Sequence, residues 1–168
     1  MTVVIDTNVL LVANGQHPAV GAACVAKCSR RLSEIMNGDR VAIDDRHEIL
    51  REYKNKTAHK AAKRPGDAFL KWLLRNTTNL QRCDQVHLTI HAGRGYESFP
   101  DDPKLVNFDP PDRKFVAVAA GHSEKPPILQ AADSKWVDWS VHLARHGVSV
   151  EFLCKDDILR FRQKKVGA

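Results

Sequence analysis

The chain has 168 residues, 43% of them apolar and 27% charged, a balance that fits one globular domain and argues against disorder. No apolar run approaches the ~18 residues that a membrane-spanning helix needs, and the N-terminus lacks the basic stretch and cleavage site of a signal peptide. These features set the expectation of a cytoplasmic protein without a membrane partner, and the net charge of +6 fits either an anionic partner, nucleic acid first, or simply a soluble protein with excess surface lysine.

Thr2-Val3-Val4-Ile5 reads as a short buried parallel strand that ends abruptly in Asp6, Thr7 and Asn8. In an open α/β sheet, ligands bind just beyond the carboxyl ends of the strands, so Asp6 stands where chemistry is expected. Val9 to Gln16 reads as a loop or short turn, and a helix follows over Ala19 to Asn37. Its stripe is Val20, Cys24, Cys28, Leu32, Ile35 and Met36, and Asn37-Gly38 supplies the stop.

Arg40 to Asp44 is a second strand, with Asp45 as the expected cap of a helix from Arg46 to about Ala62. Pro65-Gly66-Asp67 introduces a helix over Ala68 to Leu80, whose apolar face is Trp72, Leu73, Leu74 and Leu80. Asp84 to Ile90 alternates as a strand does, and His91 to Asn107 reads as a loop. Arg94, Tyr96 and Phe99 in that loop offer a cation and two aromatics for stacking on unpaired bases, against the plainer reading of a surface loop.

Asp109-Pro110-Pro111-Asp112 is a strong helix start, with the helix running to about Ala120. Pro127 to Gln130 is a strand, followed at once by Asp133 and a helix over Trp136 to Arg145. Val148 to Leu153 is the last strand, and from Lys155 onward the chain is a charged tail with helical potential around Ile158, Leu159 and Phe161. Strands alternating with helices predict a single-domain, three-layer α/β/α fold with a central, mostly parallel sheet. No GxxxxGK[ST] or GxGxxG motif is present, which argues against a P-loop or dinucleotide site.

The cysteines are Cys24, Cys28, Cys83 and Cys154, without a CxxC pair. Free buried thiols are the expected state, while a zinc site from Cys24, Cys28, Cys83 and His87 lacks the usual ligand spacing.

The acids carry more information. Asp6, Asp112 and Asp133, with Glu48 and Glu52 one helical turn apart, all fall near strand ends or the first turns of following helices. Grouped carboxylates repel unless a cation neutralises them, and hard oxygen donors suit Mg²⁺ or Mn²⁺. A basic protein with an acidic metal site suits phosphodiester hydrolysis. Read singly, Asp112 and Asp133 could serve helix termini and Glu48 could be a solvated surface acid.

The ordered set of segments resembles the PIN-domain family of nucleases over essentially the whole chain. The segments are Val3-Val4-Ile5-Asp6-Thr7-Asn8-Val9-Leu10, Ile49-Leu50-Arg51-Glu52-Tyr53, Asp112-Arg113-Lys114-Phe115-Val116-Ala117-Val118-Ala119, Ala132-Asp133-Ser134-Lys135-Trp136 and the closing Gly147-Val148.

The resemblance implies a Mg²⁺- or Mn²⁺-dependent endoribonuclease acting on single-stranded RNA, with water attacking phosphorus to leave 5′-phosphate and 3′-hydroxyl ends. Its four acids fall on Asp6, Glu52 (with Glu48 as fallback), Asp112 and Asp133. Asp6, Asp112 and Asp133 would hold the metal, Glu52 would orient or deprotonate the water, and Asn8, Glu48 and Ser134 would support the site. Many relatives carry a further acid where this chain has Lys135, which puts a fully loaded second metal in question.

Arg51, Arg113, Lys114 and Lys135 lie beside these acids and are candidates for the RNA backbone. The implied roles are the toxin of a toxin–antitoxin pair, with an antitoxin or other protein partner and a homodimer as further possibilities, or an RNA-processing or phage-defence nuclease. A catalytically silent RNA- or protein-binding module is the alternative. A phosphatase using an aspartyl nucleophile is disfavoured because Asn8 stands where its second Asp belongs.

Overall fold

The computed structural model describes residues 1–58 and 63–166, and the expected end of one helix near Ala62 therefore lies outside the described residues. Among the described residues, five parallel strands form the central sheet: β1 (Thr2–Ile5), β2 (Arg40–Asp44), β3 (Cys83–Val86), β6 (Ile128–Gln130) and β7 (Val150–Phe152). Their order across the sheet is β3-β2-β1-β6-β7. The crossovers run one way from β1 and the other way from β6, so the point where ligands bind in such sheets lies between these two strands. Val4 pairs with Ile128 and Ile5 with Leu129, which brings the ends of β1 and β6 level. All four residues of β1 are buried, as expected of a strand covered on both faces.

Among the described residues, seven helices complete the three layers: α1 (Thr7–Ala13), α2 (Ala22–Gly38), α3 (Glu48–Thr57), α4 (Pro65–Asn76), α5 (Arg113–Gly121), α6 (Lys135–Ala144) and α7 (Lys155–Val166). α1 packs with α2, α3 and α4, whereas α5 packs on β1, β2 and β6. Asn14 at the end of α1 caps α4 from outside, its Oδ1 accepting from the N–H of Gly66 at 2.7 Å and of Asp67 at 3.2 Å. A Cβ on Gly66 would stand 2.5 Å from the Leu10 carbonyl oxygen, so glycine permits this close crossing. Among the described residues, no helix is long and apolar enough to cross a membrane.

Several expectations need correction. The loop expected from Val9 is helix, because Asp6 caps α1 directly and Val9, Leu10 and Val12 are buried by the fold. Asp44, not Asp45, caps α3: its two oxygens accept from the N–H groups of Glu48 at 2.8 Å and Ile49 at 2.9 Å. Asp45 instead pairs with His87 at 2.8 Å. α4 starts at Pro65 and ends at Asn76, leaving Leu80 exposed, and its buried face is Phe69, Leu70 and Leu73. Asp109 makes no side-chain capping bond, and a single 3-10 turn, Pro110–Asp112, precedes α5.

The segment read as a loop holds a small antiparallel hairpin, β4 (Ile90–His91) with β5 (Gly95–Tyr96), and a 3-10 turn, Pro103–Leu105. Phe99 is buried in the core and Arg94 donates to the Phe99 and Glu97 carbonyls, so these two are turned to structure and not presented for base stacking. The charged tail is α7, with Ile158 buried. Two of the four cysteines are not free thiols, since Cys24 and Cys154 form a disulfide. Cys83 lies on β3, at the opposite edge of the sheet from the β7 end that leads to Cys154, which excludes the zinc set containing Cys83 and His87.

Candidate active site

Four carboxylates from four chain segments line one cleft of about 270 Å³, together with Thr7, Asn8, Leu11, Lys56 and Pro111. Asp6 follows β1, Glu52 lies on α3, Asp112 precedes α5 and Asp133 follows β6. The crossovers of a parallel sheet return each strand to the same edge, which is why residues more than a hundred positions apart meet there.

Asp6 is 5% exposed and serves as the N-cap of α1, its Oδ2 accepting from the Asn8 N–H at 2.9 Å. The capping role and the cleft position coexist, because the second carboxylate oxygen is left over. Asn8 in turn accepts from the Ala132 N–H at 2.9 Å through its Oδ1, tying the first motif to the loop that carries Asp133. Asp133 accepts from the Lys135 N–H at 3.1 Å and so shapes the entry to α6.

Glu52 is placed by its neighbour. The Tyr53 hydroxyl, fully buried, donates to the Ile5 carbonyl oxygen and fixes α3 against the end of β1. The Thr7 hydroxyl donates to Glu52 Oε2, and Lys114 Nζ pairs with Oε1 at 2.8 Å, the Lys and Glu side chains being 11% and 17% exposed. Glu48, one turn earlier, points out instead and pairs with Arg51 at 2.7 Å, the pair 44% and 60% exposed. The structure thus brings Glu52 into the cleft and leaves the fallback acid outside it.

The charges of this cluster press on one another. Burial, then the Asp112 charge, push the Asp6 carboxyl well above the usual carboxylate range, with the Asn8 N–H pulling the other way and Glu52 raising it further. Burial, then the charges of Glu52, Asp133 and Asp109, push Asp112 up to about 6. Carboxylates held this way favour either a proton or a cation. The donors are oxygens, a set that fits Mg²⁺ or Mn²⁺ better than a thiophilic metal. Among the described residues, no three of these acids bring one oxygen each within 4.8 Å of one another, so the set is open rather than closed.

The proposed RNA contacts divide. Arg113 is used inside the protein: it donates to the carbonyls of Phe108, Arg94 and Val106 and lies 4.8 Å over the Phe99 ring. Lys114 is spent on Glu52 and on the Pro111 carbonyl. Both are corrected from phosphate contacts to internal partners. Arg51 stays exposed on the outer side of α3, beside Glu48. Lys135 is exposed, 3.3 Å from Asp109, and with Ser134 lines a groove that runs from Asn8 and Asp133 to Phe161 and Lys165 of α7. Ser134 makes no side-chain capping bond.

Sequence reasoning missed Thr7, Tyr53 and Gln130. Gln130 is buried at the end of β6, and its Oε1 accepts from the Ala131 N–H at 2.9 Å. Its amide nitrogen bears on Asp6 and lowers that carboxyl's pKa, but among the described residues it has no partner within hydrogen-bond distance. Its signal was a polar residue closing an apolar strand at the sheet's binding edge. Compared with protein-family models, curated proteins and solved structures, the chain has no match in any of the three.

Proposed function

We propose that this chain is a metal-dependent endoribonuclease of the PIN-domain type that cleaves single-stranded RNA. The carrying observation is the convergence of Asp6, Glu52, Asp112 and Asp133 in one cleft at the switch point of a parallel sheet. The net charge of +6 supports a polyanionic substrate.

Asp6, Asp112 and Asp133 are the residues that would hold Mg²⁺ or Mn²⁺, which supplies an activated water and charge at the phosphoryl oxygens when bound. Glu52 accepts the proton of the attacking water at a carboxylate oxygen, once Lys114 and Thr7 have set its orientation. The new oxygen–phosphorus bond forms as the bond to the 3′ oxygen breaks, and the departing oxygen takes a proton to become a 3′-hydroxyl. Asn8 holds the Asp6 and Asp133 segments in register. Lys135, exposed in the groove beside Asp133 at the position where many PIN-domain nucleases carry another acid, would meet a backbone phosphate and favour one metal over two.

The same reading carries a cytoplasmic location and, in a toxin–antitoxin setting, a protein partner. An unstructured RNA incubated with the purified protein tests it. Cleavage in Mg²⁺ or Mn²⁺, lost with chelator and lost in Asp6→Asn and Asp112→Asn, supports the nuclease. Binding without cleavage at any metal concentration supports the RNA-binding module instead.

A further inference from the structure

Cys24 and Cys28 stand one turn apart on α2 and face Cys154, which precedes the first turn of α7. All three are buried, and their sulfurs lie within 4.8 Å of one another. A disulfide between Cys24 and Cys154 accounts for two of them. It does not account for Cys28, whose sulfur is 3.9 Å from that of Cys154.

We infer that Cys24, Cys28 and Cys154, as thiols, form a structural Zn²⁺ site that clamps α7 to α2. Sulfurs around a tetrahedral zinc at about 2.3 Å stand about 3.8 Å apart, the spacing Cys28 and Cys154 already have. Three soft thiolates select zinc over the hard cations that suit the acidic cleft. Asp157, buried three residues after Cys154, stands outside the three-sulfur cluster: its Oδ2 accepts from the Gly21 N–H at 2.8 Å and pairs with Arg160 at 3.4 Å, and its Oδ1 is the oxygen that a turn of the side chain would bring to the metal.

A thiol–disulfide shuttle through Cys28 is the rival use of a third sulfur. The two uses part in a metal titration: an exchange relay needs no metal and gives no sulfur-to-metal band, whereas a bound ion deprotonates its thiol ligands outright.

Opening the site consumes one dithiol, which becomes its disulfide as Cys24 and Cys154 take up two electrons and two protons. Each sulfur that then binds zinc releases its proton to solvent. In a reducing compartment the thiol form prevails, so zinc replaces the disulfide as the clamp. α7 contributes Phe161 and Lys165 to the groove beside Asp133, and the clamp therefore holds that rim whatever reaction the cleft performs.

The full chain, reduced with a dithiol and freed of it without oxygen, is titrated with Co²⁺ and then Zn²⁺. The expected result is thiolate-to-cobalt charge-transfer absorption that saturates at one equivalent and is abolished by one equivalent of Zn²⁺. Cys28→Ser and Cys28→Ala weaken the binding at least tenfold, while Cys83→Ser leaves it unchanged. Carboxylate-bound Co²⁺ gives no sulfur band, so failure of the acidic cleft and failure of this site are read separately. Absence of the band in the reduced wild-type chain overturns the inference, as does an unchanged band in both Cys28 variants.

Discussion

The hydroxyl of Tyr53 donates to the carbonyl oxygen of Ile5, the residue immediately before Asp6. One buried bond thereby fixes two elements of the cleft: the strand end that presents Asp6 and the helix that presents Glu52. Tyr53→Phe keeps the ring's packing and leaves the carbonyl unsatisfied. Urea unfolding is expected to show a loss of about 1–3 kcal/mol, and RNA cleavage to fall more steeply than stability, because Glu52 loses its register.

Glu48 and Glu52 share one face of α3, yet only Glu52 lines the cleft. Glu52→Gln is expected to reduce the cleavage rate at least a hundredfold, in line with the loss of a general base. Glu48→Gln is expected to leave it within a few-fold. Single-turnover rates under saturating Mg²⁺ make the comparison, and equal losses from both variants would refute the placement.

Lys114 neutralises Glu52 from a nearly buried position. Lys114→Met is expected to cost about 1–3 kcal/mol in chelator, since it strands one carboxylate among others. Mg²⁺ at a hundred times its Kd is expected to return about 2.7 kcal/mol through binding to the folded state. Denaturant midpoints with and without Mg²⁺ report both effects.

The raised carboxyls set the pH dependence of the metal-free protein. Asp112 binds its proton at about 6 in the folded chain and near the ordinary 3.8 once unfolded, so the folded chain holds more protons between those values. Stability in chelator is expected to fall as pH rises from 4 to 7, by at most about 3 kcal/mol for this group, less for its partial exposure. Asp6, raised as well, extends the fall upward. Asp6→Asn, which retains an N-cap oxygen, is expected to flatten that slope and to unfold no earlier than wild type at pH 7 in chelator. Chemical unfolding at pH 5 and pH 7.5 measures the slope.

What was legible in the chain follows from how local each signal is. β1, β2 and β6 were readable because short β-branched or apolar runs end at polar residues. α1 was not: Thr7-Asn8-Val9 is poor helix material, and the helix exists because Val9, Leu10 and Val12 are buried by distant partners. Asp44 and Asp45 are indistinguishable as caps until the left-handed His47 (φ 60°) turns the chain toward Asp44. Arg113 and Lys114 are adjacent basic residues, but helical rotation aims one at the backbone carbonyls of Phe108, Arg94 and Val106 and the other at Glu52. The Cys24–Cys154 bond spans 130 residues and has no local signature at all.

The most direct test of a carboxylate metal site is the anomalous difference map of crystals soaked in Mn²⁺. The expected result is a peak in the cleft, at about 2.0–2.2 Å from oxygens of Asp6 and of Asp112 or Asp133. Clean density in that cleft with no Mn²⁺ at saturating concentration, or Mn²⁺ held only elsewhere on the protein, would contradict it.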